Sequence, residues 1–132
     1  MLMLDLILKS MWYWMIHRGE KLEEYRDIKA YWIKRLMEQL HISGHHYERV
    51  DDETARFYED NPLLLIQAVE EGGMRFRDYD GVVFHLGYSK DRPSMICRVS
   101  DMVIGYGRPE WGAEENKLCF IIRLGRYDVS AK

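Results

Sequence analysis

The chain has 132 residues, 47% of them hydrophobic, enough for one domain (1–132) with a buried core and too few for two independent ones. Its formal net charge of −3 excludes a general nucleic-acid coat protein, because holding long backbones without sequence preference needs a strongly basic surface. The charge is unevenly spread: Lys9 to Arg35 carry seven bases against four acids, so that end is fitted to face an anion.

Leu2, Leu4, Leu6 and Leu8 alternate with Met3, Asp5, Ile7 and Lys9, the period-two pattern of a strand with one apolar side. Asp5 and Lys9 interrupt this apolar start, which falls well short of the roughly 20 residues that span a bilayer. No basic leader or cleavage site accompanies it, so no membrane partner is expected and the cytoplasm is the expected location. Ser10 is placed to cap a helix from Met11 to about Arg18, and Gly19 to close it. The density of Met, Trp and Ile predicts that this helix is largely buried, against the open end of a barrel. A second strand follows from about Leu22 to Tyr25, ending near Asp27, which is expected to cap a helix. Ile28, Trp32, Leu36 and Leu40 recur every four residues as the core stripe of that helix.

Residues 41–61 read as an irregular connection with a short helical turn around Thr54 to Tyr58. Pro62 suits the first turn of a helix reaching about Glu71, which Gly72 and Gly73 terminate. From Gly81 the pattern turns to strands: Val82, Phe84, Leu86 and Tyr88 alternate, a turn at Asp91-Arg92-Pro93 leads to a long strand from about Met95 to Ile104, and Leu118, Phe120, Ile122 and Leu124 mark another. About five strands with helices inserted early and no βαβ rhythm predict an α+β fold, a small mixed β-barrel with helices after the first and second strands and a helical insert.

The chemistry concentrates at residues 19 to 26, Gly-Glu-Lys-Leu-Glu-Glu-Tyr-Arg. Strand alternation sends Glu24 and Arg26 to one face, with Lys21 at the mouth of the strand. An ammonium, a carboxylate and a guanidinium so close together can grip a polar planar ligand or a phosphate and perturb one another's protonation. The plainer reading is a strand-edge ion pair worth at most about 1 kcal/mol if exposed.

The spacing Gly-x-Lys-x-x-Glu-x-Arg resembles the signature of the ASCH domain family, a branch of the PUA-like β-barrels associated with RNA and modified nucleosides. Residues 6–36 (LILKSMWYWMIHRGEKLEEYRDIKAYWIKRL) look like the N-terminal half of bacterial and phage ASCH proteins, and residues 80–125, with DGVVFHLGYSKDRP, GYGRPEWGAEENK and CFIIRLG, like the C-terminal half; 37–79 match neither. The resemblance implies a PUA-like barrel that binds RNA or a nucleoside-like small molecule, in single-stranded or flipped-out form. The ligand-binding residues expected are Gly19, Lys21, Glu24 and Arg26 of the motif with Tyr106 and Trp111 of the 105–112 turn, the two aromatics as stacking platforms, Trp111 reading equally as a lid on the core. One group of relatives looks like small amidohydrolases that deacetylate N4-acetylcytidine with the motif lysine, a threonine three residues later and a distant glutamate. Carried over, these fall on Lys21, on Glu24, which lacks the hydroxyl nucleophile, and on Glu110, chosen over Glu114 and Glu115. A hydrolytic variant would use Glu24 to activate water and Lys21 to stabilise the oxyanion. A third reading is a protein-interaction module built on 41–79.

Other candidates read more plainly. Gly105-Tyr106-Gly107 with Gly112 follows a strand but opens no helix and lacks the Gly-Lys-Ser/Thr ending of a phosphate loop, so it is a bend beside the cleft. His41, His45 and His46 lack a Cys pair or a His-Glu-x-x-His motif and are read as a solvated loop. His85 reads as a barrel residue with one satisfied nitrogen, and Cys97 and Cys119 as reduced, buried small hydrophobes. No metal, cofactor or DNA partner is expected.

Overall fold

Alternation of buried and outward residues fixes the first strand: Leu4, Leu6 and Leu8 of β1 (Met3–Leu8) are buried, while Asp5 on the opposite side meets His85, its Oδ1 2.9 Å from His85 Nε2. The computed structural model describes residues 1–129, with side chains through residue 125. Strand β1 is followed by helix α1 (Ser10–His17), β2 (Glu23–Asp27), α2 (Ala30–Leu36), β3 (Met37–Leu40) and β4 (Tyr47–Arg49). Then come α3 (Asp52–Asp60), α4 (Pro62–Glu71), β5 (Met74–Phe76), β6 (Gly81–Leu86), β7 (Ser94–Tyr106), a short 3-10 turn (Pro109–Trp111) and β8 (Leu118–Val129).

The large sheet has the order β1-β6-β7-β8-β2, with β1 parallel to β6 and the other pairs antiparallel. Register shifts between Cys97 and Val99 and between Val99 and Asp101 interrupt the long β7–β8 ladder. Such irregularities bend a strand and increase its twist, and the sheet curls into a half-barrel. The fold is α+β and mixed, with helices directly after β1 and β2. A second, three-stranded antiparallel sheet, β4-β3-β5, closes one side. One cluster of buried residues joins the two sheets, from Leu4, Phe84 and Phe120 of the large sheet to Met37 and Met74 of the small one.

Four sequence expectations change. The helix expected to carry the stripe from Ile28 to Leu40 ends at Leu36, because Met37 turns extended and pairs with Phe76; Leu40 lies in β3 and is exposed. That helix is not capped by Asp27, which ends β2. Its first free N–H, from Ala30, donates to Glu59 of α3 at 2.7 Å instead. Residues 41–61 hold β4 and a full helix α3, capped by Asp51, whose side chain accepts from Thr54 N–H at 2.7 Å. Helix α1 is only half covered, with Tyr13 and Ile16 inward and Met11 and Trp14 exposed. Among the described residues no helix is long and apolar enough to cross a membrane.

Candidate functional site: a charged cleft at the α1–β2 junction

A helix that must hand its chain to a strand at once needs a sharp reversal, and α1 makes one. Gly19 N–H donates to Ile16 O (3.0 Å) and Glu20 N–H to Met15 O (2.9 Å), with Gly19 at φ +76°, a left-handed conformation that favours glycine. Met15 O also accepts from Lys21 N–H at 3.1 Å. The backbone of Lys21 is thus tied to the helix end, and its side chain turns inward, 0% exposed.

There the Lys21 ammonium donates to the Trp111 carbonyl and lies 3.2 Å from Glu24 Oε1. The rings of Trp12 and Tyr25 surround it, with centroids 5.1 and 4.7 Å away. The other Glu24 oxygen accepts from Arg26 Nη1 at 2.6 Å, and the same nitrogen donates to the Tyr25 carbonyl at 2.6 Å. The Arg26 guanidinium lies against the Trp32 ring, 5.2 Å from its centroid. Ammonium, carboxylate and guanidinium therefore form one continuous chain, with Glu24 as the shared link. Burial pushes the Lys21 amine below its ordinary pKa, partly opposed by the attraction of Glu24. Burial also raises Tyr25, which keeps its hydroxyl protonated; that hydroxyl donates to Glu23 Oε1 (2.8 Å) and accepts from Arg108 N–H (3.0 Å).

Glu24 and Arg26 line a cavity of about 530 Å³, together with Trp12, Trp32, Lys9, Asp27, Glu114 and Lys117. The volume lies in the ordinary range for small-molecule sites, roughly 300–1,000 Å³. Lys117 spans the rim, 3.5 Å from Asp27 and 3.1 Å from Glu114. Gly112, at φ +101°, lets the 109–112 turn press on Trp12, and a Cβ there would stand 3.0 Å from the indole. The wall thus offers two indoles, three carboxylates, two ammonium groups and one guanidinium.

Not every residue singled out in the sequence reaches this cavity. Lys21 lies beneath the wall, behind Glu24, and Gly19 acts through the backbone alone. Trp111 is packed in a small cluster with Tyr25, Ala113, Cys119 and Ile121, under the Arg108 guanidinium 4.7 Å from its ring centroid; its carbonyl, not its ring, serves the site. Tyr106 is exposed and lines a neighbouring hollow of about 440 Å³ with Lys29, Leu63 and Lys117. Glu110 is exposed on the 3-10 turn, and the glutamate of that segment lining the cavity is Glu114. Sequence reasoning missed Trp12, Trp32 and Lys117, and only the aromatic content of the two helices hinted at the first two. Compared with protein-family models, with curated proteins and with solved structures, the chain matches none.

Proposed function

We propose that the chain is an ASCH-type, PUA-like module that binds single-stranded RNA or a modified nucleoside in the α1–β2 cleft. The observation that carries this reading is the Glu24–Arg26 pair on the wall of a cavity flanked by Trp12 and Trp32. A nucleobase presents a planar π face and an edge of donors and acceptors. The indoles suit the face, and the carboxylate and guanidinium suit the edge, Glu24 accepting from an exocyclic amine and Arg26 donating to a carbonyl or phosphate oxygen. Lys21 acts as a positioning residue that holds Glu24 against the 109–112 turn. The curled mixed half-barrel is consistent with the resemblance.

The test is fluorescence anisotropy of a short single-stranded RNA and calorimetry with free cytidine and N4-acetylcytidine. Arg26→Ala is expected to weaken binding tenfold or more, the cost of about 1.5–3 kcal/mol typical of a charged hydrogen bond. With Arg26, Lys9 and Lys117 at the cavity, and Arg26 and Lys117 each already paired to a carboxylate, one or two phosphates are engaged. The slope of log K against log salt is then about −0.7 to −1.4 for RNA. Equal binding by Arg26→Ala and the unaltered chain would refute the assignment.

One observation favours a second reading, hydrolysis of an acylated pyrimidine nucleoside: the Lys21 amine, driven toward its neutral form by burial, touches a carboxylate that faces the cavity. Product analysis with N4-acetylcytidine decides it. Turnover that disappears in Glu24→Gln supports catalysis, and no turnover by the unaltered chain excludes it.

A further inference from the structure

A β-hairpin places cross-strand partners on one face and repeats that face every second residue. In the β3–β4 hairpin, Leu40 pairs with Tyr47 and Gln39 with Glu48. The next partners outward are His41 and His46, joined by the bond from His41 N–H to His46 O at 2.8 Å. His41, His46 and Glu48 therefore share a face, whereas His45 belongs to the turn. The side chains follow the register: the two imidazoles stack with centroids 4.4 Å apart at 19°, and His41 Nε2 lies 3.8 Å from Glu48 Oε1. One donor atom from each of the three residues falls within 4.8 Å of the others, and the described residues contain no other such group of three.

We infer that the His41–His46–Glu48 face of this hairpin is a binding site for a zinc-class divalent transition-metal ion. Ligands held at about 2.0–2.2 Å from one ion lie roughly 3 Å apart, so the set needs only a small inward rotation of side chains that are partly or fully exposed. Two imidazoles and one carboxylate suit a borderline cation and leave coordination positions to water. Ser43 completes the arrangement by serving His41 Nδ1 in either tautomer: its N–H donates to bare Nδ1 (3.1 Å), and its Oγ, 2.9 Å away, accepts from protonated Nδ1. The second tautomer, which exchanges the Ser43 N–H bond for the one to Oγ, frees Nε2, the atom facing Glu48, for the ion. Such support behind a metal-binding histidine orients the ring. The sequence reading took these histidines for a solvated loop because Glu48 joins them only once the hairpin closes.

The ion would pin the turn end of β3 and β4, in a segment separate from the α1–β2 cleft. Calorimetric titration of the untagged chain with Zn²⁺ tests the site. One ion per chain is expected, with affinity reduced about tenfold or more in His41→Ala, His46→Ala and Glu48→Gln and unchanged in His45→Ala. Far-UV circular dichroism establishes that each variant is folded. No saturable binding by the unaltered chain overturns the inference, as does equal affinity in the folded His41→Ala and His46→Ala variants, or a loss in His45→Ala as large as theirs.

Discussion

Replacing Lys21 by methionine removes a buried ammonium while keeping most of the side-chain volume, and the structure sets the size of the effect. The depressed pKa of Lys21 means that burial outweighs the attraction of Glu24 for the ammonium itself. The cost of the substitution therefore lies in what it leaves behind. The Trp111 carbonyl loses the ammonium that it accepts from, and Glu24 Oε1 loses its cation while Oε2 keeps Arg26 at 2.6 Å. An unsatisfied buried acceptor costs about 1–3 kcal/mol, and breaking a buried ion pair about 3–5 kcal/mol when the remaining charge has no other partner. Because Arg26 still compensates Glu24, and because the desolvation of the amine is relieved, the net loss is about 3 kcal/mol. For a chain of this length that lowers the thermal midpoint by about 10 °C. Thermal unfolding followed by circular dichroism, with urea titration beside it, measures the loss. Lys34→Met, which breaks the exposed contact with Asp52, serves as the control and should leave the midpoint essentially unmoved. A Lys21→Met protein as stable as the unaltered chain, or more so, would refute the reasoning, since the ammonium would then be a burden that its bonds do not offset.

Because the folded pKa of Lys21 lies below its ordinary 10.5, the unfolded state binds the extra proton. The Lys21 contribution to stability therefore rises with pH between the depressed value and 10.5, and urea titrations across that window should show the rise lost in Lys21→Met. Burial pushes the Cys97 thiol up to about 12 and also raises Cys119, so neither should react with a thiol-specific disulfide reagent until urea unfolds the chain. Prompt native labelling of either cysteine would contradict the packing described. Asp51→Ala removes the cap of α3 and is expected to cost about 1 kcal/mol by urea titration, with no loss of RNA binding. Gly112→Ala forces a Cβ onto Trp12 at positive φ, costing about 1–3 kcal/mol and shifting tryptophan emission as the indole moves.

Much of the large sheet was legible in the sequence because its strands alternate: the leucines of β1 and the alternation of β6 announce a buried face without further context, and Leu118, Phe120 and Ile122 do so for β8, whose other face is buried as well by Cys119 and Ile121. Helix α4 was legible from its ends, Pro62 in the first turn and Gly72 beyond the last. The small sheet was not. Its strands run only three or four residues, too short for alternation to register, and the chance spacing of Leu36 and Leu40 imitated a helix that backbone pairing with Phe76 overrides. Helix α1 looked fully apolar, but an eight-residue helix lying on one sheet covers one side only, which leaves Met11 and Trp14 outside. The candidate site divides in the same way. Lys21, Glu24 and Arg26 lie within six residues, so a helix stop and a strand suffice to place them near one another. Glu114 and Lys117 arrive from a segment that only the closed sheet brings to the cavity, and Trp32, in the helix directly after β2, was read as part of a core stripe because its spacing matches one.

The account turns on whether the cavity walled by Glu24, Arg26, Trp12 and Trp32 holds a nucleobase. Titrating ¹⁵N-labelled protein with a short single-stranded RNA and following its amide and indole signals tests this most directly. The expected result is saturable shifts confined to both indole N–H groups and to the amides of 24–26 and 112–114, absent in Arg26→Ala. Shifts that cluster elsewhere, or no shifts at millimolar RNA, would contradict it.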